Sequence, residues 1–552
     1  MPVEVHGESF VTSFDSDILQ AQDITDAEER LPALGLELNI IRNRQVEITT
    51  SDGSSPGGLS EERGSPTNPV SQGVPPELAN FLAEIIFILV CTAGQVIFSL
   101  TLGHIAVTQF VFREALGMVP AQAPWLIGSS ALASGLSVIV FGPLADLAPP
   151  KPLMVGAFLW EAVWNAVTAA AVSPKLKVLF FVARAMQGLA VGVLVSASMS
   201  ILGRVYNPGI RKTRVFSMMA AGAPFGYWIG CVQGGLLAAH LPWIFGSTAL
   251  FLILCALAAY LTIPDLKPAA DSSSADTPSM KQFDYLGALL ASLGCGLVLF
   301  GLTQGSAVQW SPYTYITIIL GFLLLVAFHF AERRATRPLI PNGLWRTPGF
   351  AAVLVSYIFG FGGYAGAWQF YAIQFWIRYQ GATPLTAALY ILPNGIIGVL
   401  AAWVVSKTLH VVPGHWIFGV SMVCFGMGPV FFLPQTPNSS YWALSMPGVA
   451  LATFGPDLSF AAATIFITSS VPRSYQGSAG SLLVTVQNLT LAIITSVSGS
   501  IGIKVDQLPD GEVGLEGIRA IWWFGLASAI IGVLITITMV RIPKAEEKEH
   551  VQ

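Results

Sequence analysis

Glu161, Arg184 and Asp457 are ionisable side chains set inside runs of apolar residues. In hydrocarbon each such charge costs about 3 kcal/mol or more unless paired or wet, so these positions mark proton relays, substrate paths or polar contacts within a helix bundle. Asp457 follows Gly455 and Pro456, two residues that interrupt a helix. An acid at such a break suits a proton or a cationic group; it equally suits capping of the second half-helix. Glu161, Asn165 and Thr168 share one helical face. That polar stripe either lines water, where the carboxyl exchanges protons, or glues helices together. Arg184 has Gln187 and Gly188 at i+3 and i+4. It acts either as a structural donor to neighbouring helices or as a charge that tunes a carboxylate or meets substrate. Glu84, at the start of the first apolar run, is expected to reach the membrane interface.

Other chemistries lack their residues. Cys91, Cys231, Cys255, Cys295 and Cys424 all fall in apolar runs without CxxC spacing, and the 7 histidines form no HxxxH or HExxH pair. No metal or cofactor is expected, and no enzymatic activity. No Gly-x-x-x-x-Gly-Lys-Ser/Thr loop is present, so any work is expected to draw on a gradient rather than on ATP. Nothing points to nucleic acid.

The elements that position these side chains are membrane helices. Of 552 residues, 53% are hydrophobic and 11% charged, against about 25% charged in soluble domains. Apolar runs of bilayer length predict spans at 80–104, 124–145, 152–172, 178–202, 214–238, 243–263, 285–304, 313–331, 350–377, 384–406, 415–434, 442–470, 479–503 and 520–541. In the fifth, Gly222, Gly226, Gly230 and Gly234 line one face, where a neighbouring helix can approach backbone to backbone. Pro224 in the same run invites a kink. Such a seam suits helices that pack tightly and still shift. In the ninth, Tyr357, Phe361, Tyr364 and Trp368 recur at i, i+4, i+7 and i+11, a stripe that lines a cavity for flat apolar compounds or else faces lipid. Gln95, Ser99, Gln487 and Asn488 add hydrogen-bonding groups.

Residues 1–78 hold 14 Asp+Glu against 4 Lys+Arg and are rich in Ser, Pro and Gly. They are expected to form a disordered acidic tail. An even span count puts both termini on one side, and positive charge identifies that side as the cytosol. Sixteen Lys and Arg fall in the inner loops and the tail after the last span, against six in the outer loops. Asn438-Ser-Ser then lies outside, as a candidate glycosylation site. The linker 264–284 divides a six-span half, 79–263, from a remainder of 285–541 and a short cytosolic tail, 542–552.

Gly142-Pro-Leu-Ala-Asp146 resembles the Gly-x-Leu-Ala-Asp signature of the major facilitator superfamily, although Leu147-Ala-Pro-Pro150 replaces the family's usual basic run and only Lys151 is retained. Phe181-Val-Ala-Arg-Ala-Met-Gln-Gly188 resembles its span-four signature. The glycine-proline run of span five resembles that of its drug:proton antiporters, with Ala223-Pro224 where Gly-Pro is commoner. Together with Phe283-Asp-Tyr-Leu-Gly, Pro338-Leu-Ile-Pro341, Pro456-Asp-Leu-Ser and Gln476-Gly-Ser-Ala-Gly-Ser, the chain is similar to the fungal fourteen-span branch that includes aminotriazole-resistance-type and toxin-efflux pumps and some boron and ammonium transporters.

The resemblance implies an all-α polytopic membrane protein with the major facilitator fold, two six-helix halves plus two extra spans. It implies a monomeric, multi-pass protein of the plasma or vacuolar membrane that exports amphiphilic organic compounds against protons by alternating access. Gly142, Asp146 and the span-five glycines would serve the conformational change, and Asp457, Glu161, Arg184 and Gln187 proton or substrate. A carrier of a small polar solute such as ammonium or borate is the alternative; a non-transporting membrane sensor is a third reading.

Overall fold

The computed structural model describes residues 74–206, 210–266, 283–335, 338–408, 411–471 and 476–542. The acidic tail through residue 73 lies outside them, as do the side chains of residues 143–147, and so the predicted role of Asp146. Leu78 is already buried against the first helix bundle, so the packed chain begins ahead of the expected boundary at 79.

Long helices carry the described chain. The first six are α1 (Phe81–Ala115), α2 (Trp125–Leu147), α3 (Pro150–Ala170), α4 (Lys177–Val205), α5 (Ile210–Leu236) and α6 (Leu241–Thr262). A pair follows, α7 (Tyr285–Ala307) and α8 (Pro312–Glu332). Then come α9 (Phe350–Arg378), α10 (Pro384–Tyr390 continuing as Leu392–Thr408), α11 (Gly414–Phe432), α12 (Met446–Ser470), α13 (Gln476–Val505) and α14 (Leu515–Met539). Among the described residues thirteen helices are long and apolar enough to cross a membrane, and α12, Met446–Ser470, is a further helix of 25 residues. Among the described residues the only β pairing is an isolated bridge between Gln507 and Val513.

Local chemistry sets the helix ends. Asn80 caps α1 by accepting from Ala83 N at 2.8 Å, and Asp284 caps α7 by accepting from Gly287 N at 2.8 Å. The Pro338-Leu-Ile-Pro341 turn is held by Leu339 N and Ile340 N, which donate to the Glu332 carboxylate at 2.9 and 3.2 Å. Two of the recognisable motifs are therefore a cap and a turn rather than a site.

Helices α1–α6 pack mainly on one another, as do α9–α14, and the two groups meet chiefly where α2 lies on α13 and α5 on α10. The pair α7–α8 stands beside these halves. Thr303 on α7 bonds Ser496 on α13 at 2.9 Å, and Trp125 at the start of α2 donates to Gln304 at 3.3 Å. Its outer member α8 exposes Ile316, Ile319, Leu323 and Val326, a surface suited only to lipid.

The span-five glycines face α1. A Cβ on Gly226 would stand 2.5 Å from Val96 O, one on Gly222 2.8 Å from Thr92 Cγ2 and one on Gly234 2.8 Å from His104 Cα, while Gly230 lies directly against Leu100 O. Both helices of this seam belong to the same half. Glu84, expected at the interface, is 2% exposed and paired with Arg211 of α5, while Tyr206 donates to it at 3.0 Å. It closes one end of the α1–α5 joint.

Candidate functional site

Between the halves lies a cavity of about 110 Å³. From the first half, α1 contributes Gln95, Phe98 and Ser99, and α5 contributes Pro224 and Tyr227. From the second, α9 contributes Phe361, Tyr364 and Gln369, α10 Asn394, α12 Thr453 and Asp457, and α13 Gln487. Aromatic faces form much of the wall, and polar groups converge at one side.

That polar side is built by two parallel rungs between α10 and α12. On the first, Asn394 Nδ2 donates to Thr453 Oγ1 at 3.2 Å, and Thr453 passes its own hydrogen to Val449 O at 2.7 Å. One turn on, at i+4 on each helix, Gly398 faces Asp457; a Cβ on Gly398 would stand 3.5 Å from Asp457 Oδ2. The missing side chain on α10 leaves room for the Pro224 ring of α5. Asn394 Nδ2 and Gln369 Nε2 each donate to the Tyr364 hydroxyl at 3.2 Å. Asn394 Oδ1 and Asp457 Oδ2 are buried without a hydrogen-bond partner. Two unpaired buried acceptors in one cavity are costly unless a donor reaches them.

Of the aromatic stripe on α9, Phe361 and Tyr364 line the cavity, whereas Tyr357 and Trp368 pack beside it. Tyr357 stacks on Phe361 with centroids 5.6 Å apart, and Trp368 lies against Gly428 and Phe432. For Trp368 the cause is a π-helical stretch, Gly362–Gln369, which winds more residues per turn and rotates the later positions away from the α-helical register.

Glu161, Arg184 and Gln187 do not line this cavity; they sit inside the first half, each at most 1% exposed. Arg184 donates to Gln187 Oε1 at 2.9 Å and to Ser130 Oγ at 3.0 Å, reaches the carbonyls of Thr101 and Leu126 at 3.5 Å, and lies over the Phe245 ring. Gln187 extends the network to Thr168 Oγ1 at 2.9 Å. Arg184 thus ties together four helices of one half. Both carboxyl oxygens of Glu161 are buried without a hydrogen-bond partner, although Asn165 donates to its backbone carbonyl at 2.9 Å.

Beyond the cavity, the ends of α1 and α9 are held by the loop between α13 and α14. Arg113 of α1 makes a two-pronged ion pair with Glu512, one prong being Nη1 to Oε2 at 3.0 Å. Arg378 of α9 bonds Asp510 at 2.6 Å and lies 3.8 Å from Glu512. The Arg378 hydrogen bond holds the Asp510 carboxyl below the usual aspartate range. Tyr379 donates to Val513 O at 2.9 Å, and Gln374 of α9 bonds Gln109 of α1 at 2.8 Å. Arg113 and Arg378 are two of the six charges that the sequence places in outer loops, where nothing singles them out, and Asn394, Thr453 and Glu512 are absent from the candidates read from the sequence. A polar residue directly after Pro393 in an apolar run was the available signal for Asn394; nothing local ties Arg113 to a partner 399 positions away.

The sequence profile of the Major Facilitator Superfamily matches residues 86–495. An uncharacterized MFS-type transporter of Schizosaccharomyces pombe is 31% identical over 83% of this chain and 87% of its own length. A low affinity ammonium transporter of Saccharomyces cerevisiae is 30% identical, covering 85% of this chain and 92% of that protein. The efflux pump terJ of Aspergillus terreus is 29% identical over 82% of this chain and 87% of its own.

Proposed function

The chain belongs to the Major Facilitator Superfamily, and from that premise we propose that it is a proton-coupled exporter of amphiphilic organic compounds, working by alternating access through the cavity between its halves. It is a multi-pass membrane transporter, not an enzyme. The observation that carries the finer reading is Asp457, an acid in an aromatic-walled cavity with one carboxyl oxygen unpartnered. No Lys, Arg or His lines that cavity, so a charge on Asp457 is balanced only by a proton or a cationic cargo. Competition of the two for one carboxyl couples their movements in opposite directions. The similarity to terJ supports export.

On this reading α12 is the fourteenth span, split functionally by Pro456. Both termini are cytosolic, as the basic inner loops require, and the Glu512 loop faces outside. The protein acts as a monomer in the plasma membrane.

Two observations favour a second reading, a small polar solute such as ammonium. The cavity, about 110 Å³, falls short of the roughly 300–1,000 Å³ of a drug-sized site. A low affinity ammonium transporter is also 30% identical. The deciding test is retention of fluorescent amphiphiles and of methylammonium in a pump-deficient fungal strain expressing the wild type or Asp457→Asn, with and without protonophore. Export of amphiphiles that both the protonophore and Asp457→Asn abolish, at equal surface expression, supports the first reading. Movement of methylammonium alone supports the second.

A further inference from the structure

The two unpartnered acceptors in the cavity specify more than the presence of a charge. Asn394 has spent both hydrogens of its amide on Tyr364 and Thr453, and its carbonyl oxygen is left over. Thr453 has spent its hydrogen on Val449 O. Asp457, one turn along the same face of α12, offers Oδ2. The surplus on this wall is therefore of acceptors, from two neighbouring rungs of the α10–α12 contact. A ligand that brings N–H donors and a positive charge into the cavity therefore answers both acceptors of this wall.

We infer that Asn394 Oδ1 and Asp457 Oδ2 form a subsite for a protonated primary amine, with the remainder of the ligand against Phe361 and Phe98. This inference rests on the cavity being the transport site, as proposed above. It specifies the cargo further: a cation with N–H donors is favoured over a quaternary ammonium, which carries the same charge and has no hydrogen to give. A neutral alcohol lacks the charge, and an anion meets Asp457 unfavourably. Free ammonium and the amine of an organic amphiphile share this chemistry.

The test is binding to the purified full-length chain in detergent, read by calorimetry, with benzylamine, benzyltrimethylammonium, benzyl alcohol and methylammonium as probes. Benzylamine is expected to bind at least about tenfold more tightly than benzyltrimethylammonium, the scale of a charged hydrogen bond left unmade. Asn394→Leu should shrink that preference, since Asp457 Oδ2 alone still accepts from the primary amine; Asp457→Asn should weaken both cations. Methylammonium binding as tightly as benzylamine identifies free ammonium as the source, and a clear preference for benzylamine identifies an organic amine. Equal affinity for the primary and quaternary amines, equal affinity for benzyl alcohol, or no binding of any amine overturns the inference, and the wild-type comparison decides it even if a variant fails to fold. Protonophore-sensitive export of neutral compounds without amine binding would sink the subsite and leave the transport reading standing. Loss of all gradient-driven movement would instead remove that reading.

Discussion

Replacing Glu512 with glutamine should unfasten the two halves where Arg113 of α1 meets the loop between α13 and α14. Arg113 and Glu512 are 8% and 7% exposed, so neither charge is well hydrated while the clasp is shut. Removing one partner of a fully buried pair costs about 3–5 kcal/mol. Here the open state lets water reach Arg113, so the hydrogen-bond value of about 1.5–3 kcal/mol is the better scale. At about 1.4 kcal/mol per tenfold, the open population rises roughly 10- to 100-fold. Ala123, 3% exposed and lining the small pocket beside Arg113, provides the reporter. In Ala123→Cys protein in detergent, the rate of maleimide labelling measures opening, with the parent chain correcting for the five native cysteines. Asp510→Asn is the internal contrast. Its side chain is 56% exposed, and exposed pairs contribute about 0–1 kcal/mol, so labelling should accelerate less than about fivefold. Equal rates for Glu512→Gln and the parent would refute the clasp. So would equal acceleration by Glu512→Gln and Asp510→Asn, since the argument depends on burial rather than on charge alone.

The α1–α5 seam gives a paired prediction on stability. Gly230→Ala drives a methyl into Leu100 O and should cost about 1–3 kcal/mol as overpacking, read as a lower melting temperature in detergent. Gly156→Ala in α3 meets nothing within 4 Å and should raise stability by about 0.5–1 kcal/mol through helix propensity; similar shifts for the two would contradict the packing argument. Asn438 is exposed in the turn between α11 and α12, so the full chain expressed in a fungal host should lose mobility-retarding glycan on glycosidase treatment and in Asn438→Gln. Absence of any shift would remove it as a glycosylation site.

What was legible in the sequence followed from the bilayer. Length and apolarity located the helices, because a lipid solvent leaves few alternatives to a run of about 20 apolar residues. Helix α12 carries Gly455, Pro456, Asp457 and several hydroxyl residues within a run of bilayer length, and that polarity is what lets it line a cavity. For the site, Asp457 was visible as an acid beside a helix breaker, whereas its rung partner on α10 was a glycine, Gly398, whose contribution is an absence of side chain. The α9 stripe failed half-way for a related reason. An i, i+4, i+7 pattern presumes an unbroken α-helix, and the π-helical stretch at Gly362–Gln369 turns Trp368 out of register. Arg184 and Glu161 showed polar character in sequence, but only packing distinguishes a network inside one half from a group facing the space between halves.

The glycine pattern of α5 acquires its meaning from the opposite face of the same helix. Toward α1, Gly226 and Gly230 bring backbone against backbone, where close Cα–H···O contacts add to dispersion over the seam. Toward α10 the relation is reversed beside the cavity, where the Pro224 ring enters the notch at Gly398 and Trp228 rests over Gly395, whereas at the end of α5 Gly235 lies against the backbone of Leu385. A side chain seated in a notch withdraws without disturbing either backbone, whereas a backbone-to-backbone seam cannot slide without opening gaps too narrow for lipid or water. Helix α5 is therefore held to its own half along one face, while its contact with the other half is notched beside the cavity and backbone-close at Gly235. On the alternating-access reading proposed above, that asymmetry lets the cavity open where Pro224, Asn394 and Asp457 meet while α1, which carries Gln95 and Ser99, moves together with α5.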